Sequence, residues 1–263
     1  MLCAFSRSFL RKRLPVRDAR MGRATAMILA AGRGERLRPI TDTIPKPLVE
    51  VAGKPLVVHQ LEALARAGHR DVAINAAHLA DKLVDALGDG RAFGLRLHWS
   101  IEPEALETAG GIATAFPLLA AGPVLIVSGD LWTDFDYATL KPRIAAIRRA
   151  RDDTRVHLVM VPNPPWHAQG DFRLEPGQPG RLGLADETGD AAPPSGAPML
   201  TFGNIGVYDA ALFAELPRGA KLKLLPLYRQ WITAGEVTGE RYDGPWANVG
   251  TPADLAGLRA RVG

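Results

Sequence analysis

Three short stretches of this 263-residue chain carry side chains suited to handling phosphate. The first is Ala30-Ala31-Gly32-Arg33-Gly34-Glu35-Arg36-Leu37-Arg38-Pro39, which follows an apolar run. Two glycines let the backbone approach an anion closely and offer it N–H groups. The G-x-G spacing is common, however. The third glycine of a dinucleotide fingerprint is replaced by Leu37, and no Gly-Lys-Ser/Thr follows, so a dehydrogenase or a P-loop is disfavoured. The second stretch holds Lys46 between Pro45 and Pro47, where a stiffened backbone suits a fixed phosphate contact. The third, Val127-Ser128-Gly129-Asp130, puts a carboxylate just past an apolar run. Taken singly, the cations read as solvated surface charge, and the Gly-Asp pair reads equally well as a simple turn.

The elements that must position these residues follow from periodicity. Ala26–Ala30 is apolar throughout, as a strand buried on both faces is. Val57, Leu61, Leu64 and Ala65 recur at helical spacing across Pro55–Ala67, and Gly68 supplies a stop. Asp71–Asn75 predicts a strand, Leu79–Leu87 a helix, Leu95–Trp99 a strand, Gly110–Ala120 a helix and Val124–Val127 another buried strand. Such alternation implies right-handed crossovers, a parallel sheet and helices on both faces. Ligands then bind beyond the carboxyl ends of the strands, where the glycine loop and Asp130 both fall. Farther on, Val156–Val161 and Met199–Tyr208 predict strands, and residues 162–198, rich in Pro and Gly, predict loops around a short hairpin. Leu222–Ala234 and Thr251–Arg261 predict helices. The pattern shows no internal repeat and one domain over residues 24–263.

A composition of 47% hydrophobic and 23% charged residues suits such a domain. No run approaches the roughly eighteen apolar residues of a membrane span. The net charge of +4 is local: residues 1–23 hold seven Lys or Arg against Asp18 alone, which leaves the remainder at −2. Nucleic acid is therefore not an expected partner. Those residues read as a disordered extension, or as sequence ahead of a true start at Met21. The single cysteine, Cys3, fits a reducing, cytoplasmic setting. The histidines form no H-E-x-x-H or His/Cys cluster, so a zinc site is not expected.

The combination LAAGRGERLRPIT…PKPLVEVAGKP resembles the signature of the sugar-1-phosphate nucleotidyltransferases. The resemblance extends over residues 26–262 and implies a Rossmann-like α/β/α sandwich with a mainly parallel sheet and a small sugar-binding lobe. Leu106–Ile112, Gly129–Asp136 and Gly170–Phe172 are similar to the uridylyltransferases that act on N-acetylmuramic acid α-1-phosphate in cell-wall recycling. Carried over residue by residue, it implies nucleotide contacts at Ala30, Ala31, Gly32, Gly34, Arg36, Lys46, Asn75, Glu102 and Glu107. Glu102 stands at the spacing of a base-reading side chain, and a carboxylate there accepts from uracil or guanine but not from cytosine N3. Acceptor contacts are implied at Thr108, Gly110, Asp130, His167, Asp171, Asn204 and Lys223. Trp132 is either a pocket residue or core. Asp130, with Asn248 where relatives carry aspartate, is implied to hold Mg2+.

The expected reaction is in-line displacement at the α-phosphorus of UTP by a sugar 1-phosphate, with Arg36, Lys46 and Asp130 as its catalytic residues. No obligatory protein partner is evident. Two other activities stay open, guanylyl transfer to mannose 1-phosphate and uridylyl transfer to another hexose phosphate. A non-catalytic sugar-nucleotide sensor on the same fold is the rival of another class. Such a protein has little use for the phosphate-binding cations that this chain retains.

Overall fold

The computed structural model describes residues 23–150, 153–184 and 196–263. Residues 1–22, nearly all of the anticipated extension, lie outside it, as do residues 185–195 of the loop region.

The chain begins its sheet in the middle. Strand β1 (Ala26–Leu29) leads into the glycine loop and a small ribbon, β2 (Glu50–Val51) and β3 (Lys54–Pro55). Helix α1 (Leu56–Ala67) follows and ends at Gly68, whose φ of +99° only glycine adopts freely. Then come β4 (Asp71–Ala76), α2 (Ala80–Leu87), β5 (Arg96–Ile101), α3 (Glu107–Ala115) and β6 (Pro123–Ser128). The four strands pair in parallel in the order β5-β4-β1-β6. Each crossover returns the chain to the same edge, so all four carboxyl ends meet there. That edge carries the sequence motifs.

The rest of the chain is less regular. It comprises β7 (Leu131–Thr133), α4 (Lys141–Arg148), β8 (Val156–Val161), β9 (Phe172–Leu174), β10 (Gly180–Gly183), β11 (Met199–Asp209), α5 (Leu225–Thr233), β12 (Val237–Arg241), β13 (Trp246–Asn248) and α6 (Pro252–Val262). Strand β11 runs antiparallel to both β6 and β8, so the nine-stranded sheet is parallel under the glycine loop and mixed beyond it. Helix α4 and strands β7, β12 and β13 go beyond the sequence expectation. Ile147 is the buried residue of α4, too little for a periodic signal, and β7 and β13 span three residues each.

Three apolar clusters make the sandwich. Ile28 of β1 packs with Val57, Leu61 and Leu64 of α1 and Leu83 of α2 on one face. Met27 points the other way, into a cluster that includes Ile112 of α3 and Tyr228 and Trp231 of α5. The alternation within β1 is why its sequence is apolar at every position. A third cluster joins Leu37, Val49, Val51 and Leu56 to Val249, Leu255 and Leu258. Leu37, which breaks the dinucleotide fingerprint, thus fastens the glycine loop to the carboxyl-terminal helix. Burying one such leucine stabilises the fold by about 1.5–3 kcal/mol. A capping box fixes where that helix starts. Thr251 accepts from the Asp254 N–H, and the Asp254 carboxylate accepts from the Thr251 N–H at 2.8 Å. No helix among the described residues is long and apolar enough to cross a membrane.

Candidate active site

The parallel half presents a hydrogen-bonded chain from the glycine loop inward. The Ala30 N–H donates to Asn75 Oδ1 at 2.9 Å. Asn75 Nδ2 donates to Glu102 Oε1 at 2.7 Å, and the Leu106 N–H donates to Glu102 Oε2 at 3.2 Å. Glu102 is buried at 2% exposure. Burial pushes its carboxyl above the ordinary value, and the Asn75 and Leu106 bonds pull it partly back. A Cβ on Gly111 would lie 2.6 Å from Asn75 Nδ2 and 3.0 Å from Glu102 Oε1, so glycine there makes room for the pair. Gly34 has φ +68°, and a Cβ would stand 2.9 Å from Thr41 Cγ2 and 3.2 Å from Lys46 Cβ. The loop therefore packs directly on the segment that bears Lys46. At Gly32 a Cβ would meet nothing within 4 Å, and the backbone there is open to a ligand.

Lys46 Nζ meets Asp130 Oδ2 in an ion pair, with the two side chains 12% and 23% exposed. Arg36 is exposed and pairs with no carboxylate among the described residues; its guanidinium lies beside Gly250, where a Cβ would approach it to 3.2 Å. Strands β7 and β13 pair antiparallel, with Leu131 opposite Asn248, and the Val249 N–H donates to the Asp130 carbonyl at 3.3 Å. This short ladder brings Asn248 beside Asp130. Asn248 Oδ1 is buried and has no hydrogen-bond partner. An orphaned amide oxygen on Asn248 and a carboxylate on Asp130, on two paired segments, are donor types that suit a hard cation. No group of three or more His, Cys, Asp or Glu among the described residues could hold a metal. Two protein oxygens leave most of a magnesium's six positions to phosphate and water, as that ion prefers.

Beyond Asn248 opens a cavity of about 350 Å³. Three of the expected acceptor contacts, His167, Asp171 and Asn204, line it, and so do Trp166, Phe202, Leu225, Tyr228 and Trp246. Asp171 accepts from the Phe202 N–H at 2.8 Å and lies 3.0 Å from His167 Nε2. Asn204 sits at φ +59° in the bulge of β11, braced by Trp246 Nε1 donating to the Gly203 carbonyl at 2.9 Å. Tyr228 and Tyr208 join hydroxyl to hydroxyl, and burial raises the Tyr228 phenol well above its ordinary value.

Other expected residues fall elsewhere. Thr108 and Lys223 are not on the cavity wall, and Lys223 is exposed. Gly110 is a packing residue: its N–H donates to the Leu222 carbonyl at 3.1 Å, and a Cβ would meet the Ala220 carbonyl oxygen at 2.1 Å. Glu107 is exposed at φ +62°, a strained turn at the head of α3. Trp132 lines a separate cavity of about 230 Å³ with His59, Glu62 and Arg66 of α1 and packs on the third apolar cluster.

A family model described as nucleotidyl transferase matches residues 25–170. The chain is 41% identical over 239 residues to the N-acetylmuramate α-1-phosphate uridylyltransferase of Neisseria meningitidis serogroup B, covering 90% of this chain and 98% of that one. It is 34% identical to the protein of the same name from Caulobacter vibrioides, covering 90% and 96%. Among solved structures, HddC from Yersinia pseudotuberculosis superposes with a TM-score of 0.68 at 18% identity, covering 91% of this chain and all of that one, which shows the shared fold. With its motifs, its sheet and nearly the full length of these relatives in common, the chain belongs to the nucleotidyl transferase family.

Proposed function

We propose that this chain transfers the uridylyl group of UTP to N-acetylmuramic acid α-1-phosphate, yielding the UDP-sugar and pyrophosphate. The observation that carries this reading is the 41% identity across 98% of a relative of that name. Two cations and a metal-suited pair of oxygens at one edge of the sheet support it.

The acceptor is a phosphate monoester, already ionised near neutrality, so its oxygen attacks the α-phosphorus without a general base. The difficulty is bringing anions together, and the remedy is positioning plus charge neutralisation. Arg36, free of any carboxylate among the described residues, neutralises the departing β- and γ-phosphates. Lys46 serves the α-phosphate and the sugar phosphate. The Ala30, Ala31, Gly32 and Gly34 backbone holds the nucleotide, and Asn75 fixes the shape of that loop through the Ala30 N–H. Asp130 and Asn248 would hold Mg2+, which would supply charge neutralisation for the phosphates when bound. Glu102 sets the base, with one lone pair on each oxygen still free for a donor. His167, Asp171 and Asn204 surround the sugar. Work in the cytoplasm fits a UTP-dependent enzyme with one cysteine.

The test is pyrophosphate release from purified protein over a matrix of the four common nucleoside triphosphates and several sugar 1-phosphates, with and without Mg2+. UTP with N-acetylmuramic acid α-1-phosphate should lead, and only with the metal. Preference for GTP with mannose 1-phosphate overturns the substrates and spares the reaction class. No release from any pair returns the chain to a sensor.

A further inference from the structure

The acceptor cavity has a wall that phosphate chemistry does not explain. Four large apolar side chains are exposed among the described residues: Ile44, Ile101, Trp166 and Leu225. Two of the four, Trp166 at 57% and Leu225 at 49%, line this one cavity. Apolar surface gathered at a cavity with a few polar groups marks a place where a ligand covers it. The Trp166 indole lies nearly parallel to the His167 imidazole, at 23° with centroids 6.0 Å apart.

The polar part of the wall has a definite hydrogen pattern. His167 Nε2 is 3.0 Å from Asp171 Oδ1, and a carboxylate only accepts, so Nε2 carries the hydrogen. The other Asp171 oxygen is taken by the Phe202 N–H. His167 Nδ1 then has no partner among the described residues. On the neutral ring it accepts; on the protonated ring it donates. Lys and Arg are absent from the wall, and Asp171 and Tyr228 are its other titratable groups. Tyr228 stays protonated, so His167 is the group there able to offer a hydrogen bond to an anion with a charge of its own.

We propose that Trp166, Leu225 and His167 Nδ1 form a subsite for a short, methyl-bearing carboxylic arm on the acceptor sugar. The carboxylate takes the Nδ1–H of the protonated ring, and the methyl group lies against the indole and Leu225. This rests on the acceptor named above: the lactyl ether that separates N-acetylmuramic acid from N-acetylglucosamine has both parts. His167 then reads the arm, rather than Lys223, an expected acceptor contact that is exposed and off this wall, and Trp166 and Leu225 determine specificity without touching the reacting phosphates.

The experiment compares kcat/KM for N-acetylmuramic acid α-1-phosphate and N-acetylglucosamine 1-phosphate, with UTP, in wild type and in Trp166→Ala, Trp166→Phe, Leu225→Ala and His167→Ala. The ratio of the two should fall roughly tenfold in each alanine variant, the scale of one lost apolar or polar contact, and the change should lie in KM. Trp166→Phe should recover most of it. Equal losses on both sugars, or none, overturn the subsite while the acceptor reading stands. A wild-type enzyme that uses neither sugar overturns the acceptor reading, and the subsite with it.

Discussion

On one side of the cleft, the glycine loop, Asn75, Glu102 and Asp130 all lie at the carboxyl ends of four parallel strands, and hydrogen bonds link the first three. On the other side, the cavity wall is drawn from residues 166–172, 201–204, 225–228 and 246–248, each on a different element. The first side is fixed by backbone geometry and a buried polar chain; the second is shaped by a bulge, a tryptophan brace and packed aromatic rings. On the function proposed above, the first side would hold phosphate, which is the same in every nucleotide, so a rigid cradle would suit it. The second would hold sugars, which differ in their substituents, and a wall built from separable pieces can vary one contact at a time.

The sharpest way to break this comparison is to remove a cation. Arg36→Ala and Lys46→Ala should each lower kcat by about 10²–10³, the scale for losing one charge-stabilising donor in a closed site. The order of preference among acceptor sugars should not change, because in the proposed roles both residues would act on phosphate that all acceptors share. Steady-state kinetics on two sugars, with circular dichroism to confirm folding, decides it. A variant near wild-type rate removes the mechanism; a changed sugar order dissolves the division between the two sides.

That division also governs what could be read from sequence. Ala30–Pro39 and Lys46 are contiguous stretches whose neighbours in space are neighbours in the chain, so spacing reveals them. β1, α1, β4, α2 and β6 follow their apolar periods closely because they are buried on a regular face. The ladder that joins Asp130 to Asn248 consists of two three-residue strands, too short for alternation to register. Trp166, Phe202, Leu225 and Tyr228 give no signal at all, since a large apolar side chain on a wall and one in the core look alike in sequence. Trp132 keeps both sides of that ambiguity, packing on the third cluster and lining the smaller cavity beside α1. Gly110 resembles a ligand contact, and its reason is local: the Ala220 carbonyl occupies the place of its Cβ.

Asn248 belongs to both sides: it lines the cavity with an orphaned Oδ1, and the ladder that carries it also holds the Asp130 backbone. Asn248→Ala should raise the Mg2+ concentration needed for half-maximal activity by on the order of tenfold, and Asn248→Asp should retain substantial activity, since both oxygens suit a hard cation. Calorimetric titration of Mn2+ with UTP present reads the same loss without turnover. An unchanged metal requirement in Asn248→Ala would leave that oxygen's burial without a metal to explain it.

The mildest change tests whether the nucleotide side depends on its buried acid. Glu102→Ala leaves Asn75 Nδ2 and the Leu106 N–H without their acceptor. Such orphaned donors destabilise by about 1–3 kcal/mol each when water cannot reach them. Asn75 then loses the grip that holds its Oδ1 on the Ala30 N–H, and a base contact is lost as well. Both losses fall on binding shared by ground state and transition state, so KM for UTP should rise several-fold, with kcat lowered less. The acid also leaves a signed mark on stability. Its carboxyl is raised above the ordinary 4.5 by burial, so in this window the folded chain holds a proton that the unfolded chain has released. That contribution is fully present below 4.5 and is lost as pH rises through the raised value. Most other carboxyl groups are common to both proteins and cancel in a difference. The gap in Tm between wild type and Glu102→Ala should therefore narrow as pH is raised from the ordinary glutamate range toward neutrality. A gap that widens instead would mean that the ionised carboxylate is the form the fold prefers, held there by Asn75 and Leu106 more strongly than burial opposes it.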